Sequence, residues 1–376
     1  MSETSVQTSR IQVKEMAPRS GTKKTLRSGY TTGACAAAAA KGAVLCLLGR
    51  EHPIQVSIPF PDGSRHVFDL CRFGGKTALA TVVKDAGDDP DVTNGAEIGA
   101  EARWLEPSEK EPIVLVNGPG VGVVTKPGLP VAVGEPAINP VPCQMIRTAV
   151  REALHGEACC RPVEVKIFVR DGEALAAKTL NQRLGVVGGL SILGTTGIVR
   201  PVSAKAWTET IEASMRVARA ADLDAVLLAT GRTSEAAVQA RLHLPEEALV
   251  MMGDYLRYSL EAARRHGFSR IHLAGMWAKL VKAALAVPQT HVRNGVLETR
   301  QAADLLARLG LEETMAVEMR RANTAREIHD RLQAMGRHDL VAAVCNTARL
   351  QAECWSNLPV RVYLVTAEEG VVHVTD

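Results

Sequence analysis

The stretch that decides the fold is residues 225–288, AVLLATGRTSEAAVQARLHLPEEALVMMGDYLRYSLEAARRHGFSRIHLAGMWAKLVKAALAVP. It holds three short apolar runs, residues 225–229, 249–252 and 271–274, each followed by a glycine-bearing loop and a segment of helical composition. Thr233 or Ser234 can cap the first helix and Asp254 the second, which Gly267 ends. Residues 279–287 form the third, and Pro288 stops it. Three β-loop-α units in succession predict a parallel sheet covered by helices. In such sheets ligands lie beyond the carboxyl ends of the strands. The loops at Thr230, Gly231 and Arg232, at Gly253 and Asp254, and at Gly275 are therefore the expected small-molecule site.

Working outward, residues 299–353 read as helix broken near Gly310 and Gly336, and residues 360–375 as a hairpin turning at Glu368, Glu369 and Gly370. Upstream, the alanine-rich run 34–48 strongly favours helix, with Thr31 or Thr32 as its cap. Runs 55–60 and 66–70 flank Pro61-Asp62-Gly63 as a hairpin, and strands follow at 78–84, 98–104 and 113–116. A Gly/Pro-rich loop over 117–142, a helix to about His155 and a strand at 163–170 complete this half. Its order fits an α+β layer better than a regular βαβ wind. The expected architecture is an N-terminal α+β domain over residues 26–180 followed by a C-terminal α/β domain with a mostly parallel sheet over 181–376. Residues 1–25 are expected to form a polar, mobile arm.

Composition narrows the function. A chain of 376 residues with 46% hydrophobic content supports two packed cores. A net charge of +3 gives no basic face for nucleic acid, and 3% aromatic residues leave few platforms for stacked bases. The opening MSETSVQTSRIQVKEM lacks the basic-then-apolar order of a secretory signal. The apolar run 34–48 is interrupted by Lys41 and Gly42 and is shorter than the ~20 residues of a membrane span, so no membrane is expected. Eight cysteines without a C-x-x-C pair indicate a reducing, cytoplasmic setting and argue against structural zinc. A homo-oligomer is compatible with the sequence.

Several segments carry candidate chemistry. Gly29-Tyr30-Thr31-Thr32-Gly33 sets glycines and threonines at a helix start, where outward amides would suit a carboxylate; the alternative is an ordinary cap. Lys84-Asp85-Ala86-Gly87-Asp88-Asp89-Pro90-Asp91 concentrates four carboxylates beside a lysine but lacks EF-hand spacing, which leaves a solvated turn as the alternative. Gly118 to Gly122 resembles a phosphate loop without its G-K-[ST] ending, so a phosphotransferase is disfavoured. In GGLSILGTTG, residues 188–197, Thr195 and Thr196 offer hydroxyls to a ligand. No histidine pair has metal-ligand spacing, so no metal site is expected, and there is no G-x-S-x-G elbow. His291, just after Pro288, is the histidine best placed for a site.

Four stretches, GYTTGACAAAAAKGA (29–43), VVKDAGDDPDVTNGAEI (82–98), VTKPGLPVAVGEPAINPVP (124–142) and RLGVVGGLSILGTTGIVRPVS (183–203), resemble in order the signatures of the cobalt-precorrin-5B (C1)-methyltransferase family, CbiD. The resemblance implies transfer of the methyl group of S-adenosylmethionine to C1 of a cobalt-bearing tetrapyrrole, giving cobalt-precorrin-6A in anaerobic cobalamin biosynthesis. Cobalt enters only as part of this corrin-precursor substrate. On that reading Tyr30, Thr31, Thr32 and the cations Arg27, Lys84, Lys126, Arg183, Arg200, Lys205 and Lys279 are candidates for the substrate and its carboxylates. Gly194, Thr195, Thr196, Gly231, Gly253, Asp254, Gly275 and His291 are candidates for the methyl donor. Asp85, Asp88 and Asp89 would repel a polyanion and are assigned to the reaction centre, holding the donor or orienting lysines.

The C-terminal loops depart from the family pattern. Gly275-Met276-Trp277-Ala278-Lys279 stands where glycine-histidine and a second glycine are usual, and Gly253-Asp254 and Gly231-Arg232 stand where glycine-asparagine is usual. The competing expectation is a non-catalytic tetrapyrrole-binding or handover protein of the same pathway.

Overall fold

The computed structural model describes residues 26–49, 53–73, 78–106, 112–155, 161–201, 203–290 and 298–376. The first half begins with β1 (Gly29–Tyr30) and α1 (Thr32–Leu47), then a hairpin of β2 (Gln55–Pro59) and β3 (Arg65–Asp69). Next come β4 (Arg72–Phe73), β5 (Ala78–Val83), β6 (Glu97–Trp104), β7 (Ile113–Asn117), β8 (Gly120–Val121) and β9 (Val123–Val124). After these lie α2 (Pro140–Leu154), β10 (Val163–Val169), α3 (Gly172–Ala176), β11 (Val186–Val187), β12 (Gly189–Leu190) and β13 (Ile198–Val199).

β4, β5, β6, β10 and β7 form one sheet in that order, with β10 antiparallel to β6 and parallel to β7. Along β10 the period-two pattern buries Val163, Val165, Ile167 and Val169 and leaves the residues between them half-buried. The buried set meets α1 and α2 in one apolar core. α1 is helical because alanine loses least on entering a helix and because Thr31 caps it, its side chain accepting from the Ala34 amide. It is buried nearly all round, since alanines and Gly42 let the sheet approach closely. A Cβ added at Gly42 would lie 2.7 Å from the Ala80 side chain.

The second half contains α4 (Ala204–Ala220), β14 (Ala225–Ala229), α5 (Arg232–Leu242), β15 (Leu249–Met251), α6 (Leu256–Arg265), β16 (Arg270–Gly275) and α7 (Trp277–Ala284). It closes with α8 (Thr299–Arg308), α9 (Glu313–Arg320), α10 (Ala325–Ala334), α11 (His338–Ser356), β17 (Val360–Thr366) and β18 (Gly370–Val374). The sheet order is β15-β14-β16-β17-β18, parallel throughout except for β18. The predicted mostly parallel sheet is thus present. α5 packs on one face in a small apolar cluster, and α4, α6, α7 and α11 bury the larger core on the other.

Three local expectations give way. Neither Thr233 nor Ser234 caps α5; Gly231 holds the cap position, and the Ser234 hydroxyl donates back to its carbonyl at 2.9 Å. Asp254 does not cap α6, which starts beyond Tyr255. Finally, residues 186–199, placed after residue 180 in the second domain, pair with the first half: β11 with β9, β12 with β8 and β13 with β1. These strands have two residues each, too short for a periodic signal.

Candidate functional site

Around the start of α1 three of the sequence motifs meet. β1 runs antiparallel to β13, with Gly29 opposite Val199 and Tyr30 opposite Ile198. The loop after β5 closes on the same strand, where the Tyr30 amide donates to the Asp85 carbonyl at 2.7 Å and the Asp88 amide to the Arg27 carbonyl at 2.9 Å. Thr32 Oγ1 accepts from the Leu193 amide at 2.8 Å, and the Gly33 amide donates to the Leu193 carbonyl at 3.0 Å. Gly194 has φ of +122°, and a Cβ there would lie 2.5 Å from the Thr31 side chain.

This closure overturns the expected carboxylate cradle. The first-turn amides of Gly33 and Ala34 are taken by Leu193 and by Thr31 itself, and Thr31 and Thr32 are buried. Tyr30 sits edge-on to Phe60, with its hydroxyl 3.4 Å from His66 Nδ1. Lys84 is also unavailable, 1% exposed and paired to Asp91 at 2.7 Å, while Asp91 accepts from the Thr93 hydroxyl at 2.6 Å. Arg27 stays exposed, its guanidinium on both oxygens of Asp85 and its backbone amide 2.7 Å from Asp88 Oδ2. The Arg27 guanidinium holds the Asp85 carboxyl below its usual range. The neighbouring Cys35 thiol is pushed up to about 12 by burial and is unreactive.

Other predicted cations join the two halves. Arg183 makes a bidentate pair with Glu235, at 2.6 and 2.9 Å, and Glu235 is buried. Lys126 reaches Glu247 at 2.7 Å. Arg200 is exposed without an ion pair among the described residues, as Thr195 is exposed without a side-chain hydrogen bond there; Thr196 instead turns back on Ile198.

The C-terminal loops do gather where the sheet predicts. The chain passes from β14 to β15 on one side and returns to β16 on the other, so the direction of winding reverses between β14 and β16. Gly231 and Gly275 lie at the carboxyl ends of those strands, where the Thr230 amide donates to the Ala274 carbonyl at 3.1 Å. Gly231 is extended, with φ of −176°, and opens on free space: an added Cβ meets nothing within 4 Å.

Gly253 lies beyond β15 with Trp207 over it, and Trp207 stacks on Tyr255 with ring centroids 6.4 Å apart. Asp254 binds the Lys279 ammonium and accepts from the Thr290 hydroxyl at 2.9 Å, so Lys279 is a strut between two loops. His291 lies outside the described residues. Sequence reasoning missed Trp207, Trp277 and His329. Only Trp277 carried a signal, by its place directly after the Gly275 loop.

Fold and site together define a two-part protein whose second half gathers glycine-bearing loops at the carboxyl edge of a parallel sheet. The profile of the CbiD family matches residues 19–201, and that of the CbiD C-terminal domain matches residues 289–376. The chain belongs to the CbiD family. It is 57% identical to the cobalt-precorrin-5B C(1)-methyltransferase of Desulfotalea psychrophila over 93% of this chain and 98% of that protein. It is 47% identical to the protein of the same name from Geobacter metallireducens, over 93% of this chain and 99% of that one. A crystal structure of the cobalamin biosynthesis protein CbiD from Archaeoglobus fulgidus is 28% identical, covering 68% of this chain and 78% of that one, with a TM-score of 0.39.

Proposed function

We propose that this chain is a methyltransferase that acts on C1 of cobalt-precorrin-5B to give cobalt-precorrin-6A in the cytoplasm, with S-adenosylmethionine as the methyl donor. The observation that carries the reading is the identity of 57% with a relative of that name across 98% of its length.

A bound sulfonium donor supplies an activated methyl group, and a macrocycle carbon forms the new C–C bond as the S–C bond breaks. The chain's own task is then alignment and exclusion of water. Positioning of this kind contributes ~7 to 11 kcal/mol. A nucleophilic side chain is not required. Arg27 and Arg200, exposed just outside the strand pair β1–β13, and the exposed Lys205 at the start of α4 are cations open to substrate carboxylates. Asp85 and Asp88 act through Arg27, fixing its guanidinium and its backbone.

Incubation with cobalt-precorrin-5B and S-adenosylmethionine is expected to release S-adenosylhomocysteine and a product one methyl group heavier. Tetrapyrrole binding without methyl transfer would replace this reading with the handover protein. Asp88→Ala is expected to raise KM for the tetrapyrrole about tenfold with kcat little changed, the loss of one charge-assisted contact.

A further inference from the structure

The carboxyl ends of β16 and β17 open on a cavity of 590 Å³ between the first turn of α7, one side of α10 and the β17–β18 turn. That volume falls within the ~300–1,000 Å³ of small-molecule sites. Its wall is aromatic: Trp277 and His329 are 5% and 6% exposed, with ring centroids 5.2 Å apart. The Trp277 Nε1–H is buried and has no acceptor among the described residues. A buried donor left unmatched in this way is rare in folded chains, and a bound molecule with an acceptor would satisfy it.

Charge decides between the two reactants. Asp330, Glu368 and Glu369 line the cavity against one cation, Arg326, which Glu368 already holds at 2.5 Å. Burial lowers the pKa of His329, so that ring adds no positive charge at neutral pH. A net negative cavity repels a tetrapyrrole rich in carboxylates and draws a cation. We propose that this cavity holds the cationic, nucleoside-type methyl donor, with the Trp277–His329 wall against its flat base and the Glu368–Glu369 turn beside its hydroxyls and ammonium. The assignment rests on the methyltransferase reading. It moves the donor away from Gly194, which packs in the other half against Thr31, and from the exposed Thr195 and Thr196 next to it.

The test is calorimetric titration of the full chain with S-adenosylmethionine and with S-adenosylhomocysteine, each with and without the tetrapyrrole. Glu369→Lys reverses a charge on an exposed turn, and Trp277→Phe keeps a ring while removing the N–H. Each variant is expected to bind S-adenosylmethionine about tenfold more weakly; Glu369→Lys should leave the melting temperature unchanged, whereas Trp277→Phe, in the core, should lower it modestly. Glu369→Lys should weaken the sulfonium ligand more than the uncharged-sulfur one. Wild-type binding together with undiminished binding by Glu369→Lys would overturn the cavity assignment and leave the methyltransferase reading intact. No wild-type binding of either ligand, even with tetrapyrrole present, would overturn both.

Discussion

At Gly29 and Gly87 in the first half, an added Cβ would lie 2.1 and 2.2 Å from backbone atoms, whereas at Gly231 in the second half it would meet nothing within 4 Å. The same residue type does opposite work in the two regions. Around α1 the glycines let the segments 27–33, 84–88 and 191–197 abut, and the motif's polar groups bond chiefly to one another. At the carboxyl edge of the parallel sheet Gly231 leaves room, while Gly253 and Gly275 lie against the Trp207 and Leu280 side chains. A glycine-rich motif therefore reports close approach, and only the fold says whether the approaching partner is the chain itself or a ligand.

The largest expected effect comes from filling the closed region. Gly29→Val places a branched side chain into the Ala86–Gly87 backbone and is expected to cost more than ~3 kcal/mol, read as loss of soluble protein or a large fall in the urea midpoint. If its stability is near wild type, the two regions do not differ in the way described. Next is Lys84→Met, which leaves the Asp91 carboxylate without its cation and is expected to cost ~3 kcal/mol in chemical denaturation.

A smaller effect compares the halves through acid. Glu152 in the first half bonds to Arg65 and Lys41, and these hold its pKa at about 2. In the second half burial raises Glu212, but bonds from His266, Tyr258 and Arg265 outweigh it and also leave about 2. Both pKa values are depressed on folding. Their stabilisation is complete above the unfolded carboxylate value of ~4.3 and is lost as pH falls toward the folded value. Glu152→Gln and Glu212→Gln are each expected to remove ~1 kcal/mol at pH 7, after allowance for solvent, and to flatten the acid limb of stability against pH. An unchanged limb in either variant would break the symmetry. The smallest effect is Gly231→Ala, within ~0.5 kcal/mol of wild type by thermal melting, because its extended backbone suits any residue and its surroundings are open.

Much of this was legible in the residues. Apolar runs of strand length, glycines at their ends and helical segments between them specified the parallel sheet and the edge at which its loops gather. The alanine run specified α1, and Pro61-Asp62-Gly63 the hairpin. Caps were read less well: Asp254 has the right residue type and the right place, yet Lys279 and Thr290, far along the chain, take its oxygens. Lys84 and Arg183 looked available to a substrate because charge is visible in a sequence and the partner that neutralises it is not.

The sequence by itself determined the periodic elements, their order, the family and the sheet edge at which the loops gather, since these depend on side-chain pattern within a few residues or on long stretches matched in register. Only the tertiary structure decided which polar groups are spent. Whether Thr32 meets Leu193 and whether Trp277 stands beside His329 are contacts between segments distant in the chain, fixed by how each core packs, and whether Lys84 meets Asp91 depends on how the loop between them turns back. No local propensity encodes them.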